Sequence, residues 1–80
     1  MYYVYILKSL KTEKFYIGQT HNIQNRVSEH NNGKTISTRS GRPWALVHSE
    51  EFETRMEAIQ RERELKAKKS HRIIEILVRQ

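Results

Sequence analysis

Aromatic and β-branched residues dominate two short runs, residues 3–7 and 15–18, and the polar Ser9, Lys11, Thr12, Glu13 and Lys14 lie between them. That pattern predicts a β-hairpin. Side chains alternate between the faces of a strand. If Val4 pairs with Ile17 and Ile6 with Phe15, these four face the core and Tyr5 lies opposite Tyr16 on the other face. Asn22 is placed to cap a helix that runs to about Asn32, with Gly33 as its terminator. Ile23 and Val27 form its apolar stripe, while Arg26 and His30, also one turn apart, project together from a neighbouring stripe.

Residues 33–43 hold two of the three glycines and the only proline, the composition of a mobile loop. Residues 44–49 read as a third strand, with Trp44, Leu46 and His48 on one face and Ala45 and Val47 on the other. It is apolar enough to sit centrally or to pack on both sides. Thr54 followed by Glu57 matches a capping box, so a second helix starts there and continues to about Lys68. Ala58, Ile59 and Leu65 form its inward stripe, and the residue that joins them at helical spacing is a carboxylate, Glu62. Ser70 suits the cap of a last helix whose Ile73, Ile74 and Leu77 make an apolar face. The order β-β-α-β-α-α predicts an α+β fold, a small three-stranded, mainly antiparallel sheet with helices packed around it, as one domain over residues 1–80.

Composition narrows the function classes. A chain this short buries only roughly 60 to 65% of its unfolded surface. The absence of cysteine removes disulfides and thiolate zinc sites, leaving stability to the hydrophobic core. The apolar start gives way to Lys8, too early for a signal peptide, and no run approaches the roughly 18 residues of a membrane helix. The cytoplasm is the expected location. Fifteen Lys and Arg against nine Asp and Glu give a net charge of +6 and a pI near 9.9, which makes polyanions the natural partners. No acid occurs between Glu29 and Glu50, whereas Lys34, Arg39 and Arg42 fall there with His30 and His48.

The element order, with Tyr3-Val4-Tyr5 in the first strand and Tyr16-Ile17-Gly18 in the second, resembles the GIY-YIG nuclease domain over nearly the whole chain. Tyr16 lies eleven positions after Tyr5 and Arg26 ten after Tyr16, as in that family, and His30 follows one turn later. The family's metal glutamate begins a Glu-x-x-apolar pattern, which Glu62-Arg63-Glu64-Leu65 matches. Short bacterial proteins made of this domain alone are similar through Thr38-Arg39, Arg42-Pro43 and the run from Arg61 to Lys66. Two departures stand out. Tyr3 replaces the first glycine, and no zinc finger, helix-turn-helix or second nuclease domain is attached to choose a target.

The resemblance implies hydrolysis of phosphodiester bonds in nucleic acid, DNA before RNA, with one divalent ion, Mg²⁺ or Mn²⁺. The chemistry needs a deprotonated water, charge neutralisation at phosphoryl oxygens and help for the leaving oxygen. Arg26 offers a permanently charged planar fork for the scissile phosphate. The resemblance gives Tyr5 the role of base and Tyr16 that of positioning partner, although an unperturbed phenol near pKa 10 is a poor base and the chemistry alone allows either order. The resemblance makes Glu62 the residue that would hold the ion, and Mg²⁺, which keeps most of its waters, needs only one carboxylate; its rival role is an ion pair with Lys66. His30 would orient a phosphate or share proton transfer, and Lys34, Arg39 and Arg42 would contact phosphates without reading bases. His21, His48 and His71 lack ligand spacing, which argues against zinc. The same residues suit two other readings, a nucleic-acid-binding module without catalysis and a partner-binding protein with a merely solvated basic face.

Overall fold

The computed structural model describes residues 1–68 and 71–79. Three strands, β1 (Tyr2–Ser9), β2 (Phe15–Thr20) and β3 (Trp44–Phe52), form one antiparallel sheet in the order β2-β1-β3. Helix α1 (Ile23–Asn31) follows β2, and α2 (Arg55–Ala67) and α3 (His71–Val78) follow β3. The expected α+β architecture and element order hold. The first strand, however, is the central one, and β3 lies at an edge. Both faces of β1 are covered, so Val4, Tyr5, Ile6 and Leu7 are all buried.

The hairpin keeps the expected facing but not the expected register. Ile6 pairs with Ile17 and Lys8 with Phe15, a shift of two from the Ile6–Phe15 pairing. A slip of two preserves every face, whereas a slip of one would invert them all. Tyr5 therefore sits across from Gly18, and Tyr16 across from Leu7. The turn consumes more chain than a two-residue hairpin would. Ser9 Oγ accepts from the amides of Lys11 and Thr12 at 3.2 and 2.9 Å, and Glu13 takes a left-handed φ of 64°.

The sheet divides the core in two. Val4 and Ile6 pack with Ala58 and Leu65 of α2 and Ile74 of α3, backed by Phe15, Ile17 and Phe52. On the opposite face Tyr5, Leu7 and Trp44 pack with Tyr16 and with Val27 of α1. The expected face of β3 is broken by an irregularity: Leu7 pairs with Leu46 but Ile6 with His48, so Val47 is an extra residue. Trp44 and Leu46 stay on the Leu7 side while His48 and Glu50 move to the side of Ile6 and Val4. There the Arg61 guanidinium of α2 grips Glu50 with two hydrogen bonds, of 2.7 and 3.1 Å, which ties helix to strand.

Two of the three predicted helix caps are seen in place. Asn22 Oδ1 accepts from the Asn25 amide at 3.0 Å, and Thr54 and Glu57 form a reciprocal capping box. Gly33 ends α1 with a φ of +76°. In α3, Ile74 is buried but Ile73 is exposed, because only the stripe of Ile74, Leu77 and Val78 reaches the sheet core; Ser70, the expected cap, lies outside the described residues. Residues 33–43 are not a loose loop. Ile36–Gly41 form a turn of 3-10 helix with Thr38 and Gly41 buried, held by Ser9 Oγ donating to Gly41 O at 2.6 Å and Trp44 Nε1 to Thr38 O at 2.8 Å.

Candidate active site

Gly18 opens the site. A Cβ there would come within 2.5 Å of the Tyr5 phenol oxygen, so only glycine lets the Tyr5 ring lie across β2. The hydroxyl then meets His30 Nε2 at 3.1 Å in a buried contact. His30 is no surface residue, being only 1% exposed. Its stripe on α1 turns inward at the helix C-terminus, while Arg26, one turn earlier, keeps its side chain 43% exposed and paired with Glu29 at 3.5 Å.

The chain runs on through Thr38 Oγ1, which lies 2.8 Å from His30 Nδ1 and 3.3 Å from Thr35 O. With the Thr38 proton on Thr35 O, His30 carries its own proton on Nδ1 and its Nε2 accepts from the Tyr5 hydroxyl. Thr38 escaped sequence reading as a site residue. Its one signal was its place in the Thr38-Arg39 pair, which says nothing of a histidine eight residues back.

Tyr16 completes an aromatic wall, edge-on to His30 with ring centroids 4.8 Å apart and 6.3 Å from the rings of Tyr5 and Trp44. It is half-buried, where Tyr5 is buried. Burial, reinforced by Tyr16, pushes the Tyr5 phenol well above its ordinary range; Arg26 opposes this, and Glu62 and Glu29 add to it. The expected lowering by Arg26 is thus present but outweighed by desolvation. Burial and then Arg26 hold His30 below its usual value, against the pull of Glu29. Arg26 and Glu62, from helices on different sides of the sheet, both act on the Tyr5 phenol.

Glu62 lies on the inward stripe of α2 with its side chain 19% exposed, and it also makes the rival contact, an ion pair with Lys66 Nζ at 2.6 Å. Among the described residues no group of three or more His, Cys, Asp or Glu side chains converges. An ion here would rest on one carboxylate and its own waters, a donor set suited to Mg²⁺, with the exposed Lys66 free to swing away.

Lys34, Arg39 and Arg42 are exposed, and none meets an acid among the described residues. Arg39 Nε donates to Gly33 O and Arg42 Nε to Arg39 O, both at 2.9 Å, so the two guanidiniums are anchored at one nitrogen and open at the others. Together with Lys11, Asn31 and the exposed Ile36 they line an open groove of about 660 Å³; Lys34 lies outside it.

Residues 1–73 match the model of the GIY-YIG catalytic domain. The chain belongs to the GIY-YIG family. This family consists generally of nuclease domains, so the geometry above is that of a nuclease-type fold. A UPF0213 protein of Natronomonas pharaonis is 43% identical over 67 residues, 82% of this chain and 78% of its own. A UPF0213 protein of Staphylococcus haemolyticus is 42% identical over 66 residues, 81% of this chain and 79% of its own. The solution NMR structure of a UPF0213 protein from Bacillus halodurans superposes with a TM-score of 0.59 at 38% identity, covering 98% of this chain and 83% of that one. These are small proteins, in keeping with a stand-alone GIY-YIG domain. No described helix of this GIY-YIG domain is long and apolar enough to cross a membrane.

Proposed function

We propose that this GIY-YIG protein is a divalent-metal-dependent endonuclease that hydrolyses phosphodiester bonds of nucleic acid, DNA before RNA. The observation that carries the reading is the buried Tyr5–His30 hydrogen bond, on whose phenol the charges of Arg26 and Glu62 both act. Arg26 holds the scissile phosphate through its exposed guanidinium, giving up Glu29 to do so. Tyr5 alone is a weak base, but it does not act alone. As its oxygen takes a proton from the attacking water, its own proton passes to His30 Nε2, whose Nδ1 faces Thr38; the water oxygen bonds to phosphorus while the bond from phosphorus to the leaving oxygen breaks, and that oxygen takes its proton from solvent. His30 is neutral near pH 7, the form that can receive that proton. Tyr16 orients the water beside them. Glu62 would hold the ion, Mg²⁺ or Mn²⁺, which when bound supplies positive charge to the phosphoryl oxygens.

Two observations favour a second reading, a nucleic-acid-binding module without catalysis: Lys66 occupies Glu62, and burial strengthens the grip of Tyr5 on its proton. One experiment separates the two. The pure protein is incubated with labelled duplex, single-stranded and branched substrates in Mg²⁺, in Mn²⁺ and in chelator. Metal-dependent cutting supports the nuclease, and binding without cutting under every metal condition supports the module. Replacing Lys34, Arg39 and Arg42 together by Ala is expected to flatten the slope of log affinity against log salt by about two to three.

A further inference from the structure

The start of β1, the end of β2 and the first turns of α1 and α2 enclose an open groove of about 510 Å³. Arg26 lines it, so it continues the candidate active site away from the Arg39–Arg42 groove at the other end of α1. Its other lining residues include Arg55, His21, Gln19, Tyr2 and Met1. Arg55 is exposed and has neither a hydrogen bond nor an ion pair among the described residues. The nearby acid of α2, Glu57, is held in the capping box by Thr54 and does not line the groove.

The lining suits one kind of ligand. Two guanidiniums match phosphate oxygens, while the half-buried Tyr2 ring and the Met1 thioether offer a sequence-tolerant surface to the face of a base. A volume of this size lies in the range that encloses a small organic ligand. We infer that the groove binds the nucleotide next to the scissile phosphate, with Arg55 on its phosphate and Tyr2 against its base. A base stacked on a side chain is not stacked in a duplex, so the strand is unpaired at this position. Placing the groove beside the scissile bond rests on the nuclease reading; the binding itself does not.

The test measures affinity of the full chain, in chelator, for a short labelled single-stranded DNA and for a duplex of the same sequence, between about 50 and 200 mM salt. Arg55→Ala is expected to weaken single-strand binding about tenfold and to lower the salt slope by about 0.7, the share of one phosphate. Arg63→Ala removes an equal charge from an exposed position of α2 outside the groove and is expected to change affinity less than about twofold. Equal effects from both variants, or none from Arg55→Ala, overturn the groove, as does a larger effect on duplex than on single strand. Melting temperatures of both variants guard against misfolding. Adding Mg²⁺ separates the two claims. Weaker binding by Arg55→Ala with no cleavage by the wild type keeps the groove and sinks the nuclease, whereas cleavage with unchanged Arg55→Ala binding does the reverse. A wild type that binds no DNA sinks the groove and, with it, DNA as the substrate of the nuclease.

Discussion

The two faces of β1 are built from alternate residues of one strand, yet they obey different rules. Val4 and Ile6 are buried among apolar side chains of α2 and α3, and the polar groups on that side, His48, Glu50 and Arg61, pair with one another while remaining partly exposed. Tyr5 and Leu7 face α1 and the 3-10 turn, where His30, Thr38 and Ser9 are also fully or almost fully buried. Every polar atom buried there has a partner; among the described residues no buried side-chain nitrogen or oxygen lacks one. Such a network adds little net stability over an apolar core of the same shape and costs much when half-satisfied. A small domain that keeps it on one face while the other carries the stability is spending one face on something besides folding.

The largest expected effects break the two faces apart by opposite measurements. Glu62→Gln keeps shape and removes charge, so cleavage is expected to vanish while the melting temperature stays level or rises slightly and DNA affinity in chelator is unchanged. Metal-dependent cutting by this variant rejects the site. Arg26→Lys is expected to fold and to lose most cleavage in a single-turnover assay, because lysine keeps the charge but not the fork.

Next comes a paired comparison on neighbouring residues of one strand. Tyr5→Phe is expected to cut about 10² to 10⁴ times more slowly at nearly normal binding, and Gly18→Ala to behave like it, since a Cβ displaces the Tyr5 phenol. Ile6→Ala is expected to lose about 2 to 5 kcal/mol in urea unfolding while each folded molecule cuts at the wild-type rate. A Tyr16→Phe loss larger than that of Tyr5→Phe exchanges the two tyrosine roles. A smaller effect belongs to Thr38. Thr38→Val removes the acceptor for His30 Nδ1 and is expected to lower the rate and alter its pH profile, and Thr38→Ser to restore both. A silent valine variant shows that the tautomer is fixed by something else.

What the sequence made legible follows from which interactions are local. Both N-caps and the capping box lie within four residues of their partners and were readable as spacing. The faces of the hairpin were readable because parity survives a slip of two; the register was not, since no tight-turn dipeptide fixed the loop length. The extra residue at Val47 left no mark in an apolar run, so the side taken by His48 was misjudged. Glu62 was legible as a carboxylate on an apolar stripe. His30 was legible only as a position: its burial depends on Tyr5, two elements earlier, and on Thr38 in a segment whose glycines and proline suggested mobility.

The smallest effect is thermal and separates the faces by acid titration. On the α1 side, burial and Arg26 hold His30 below its usual value of 6.5. The unfolded chain then binds this proton more readily than the folded one, so the stability linked to neutral His30 is complete above 6.5 and is lost as pH falls below it. On the α2 side, hydrogen bonding from Arg61, and secondarily from His48, holds Glu50 below its usual 4.5 against the opposing effect of burial. Its contribution is present above 4.5 and is lost only in stronger acid. The melting temperature is therefore expected to fall in two stages, each on the order of a few degrees for a chain of this size. His30→Gln is expected to remove the first stage and leave the second, and Glu50→Gln the reverse. Glu50→Gln also removes the carboxylate that His48 Nε2 meets at 2.8 Å, so the first stage is read from His30→Gln against the wild type at each pH. A first stage that survives His30→Gln means that the buried imidazole is not what makes the α1 face acid-sensitive, and the neutral His30 on which the proposed proton transfer depends loses its support.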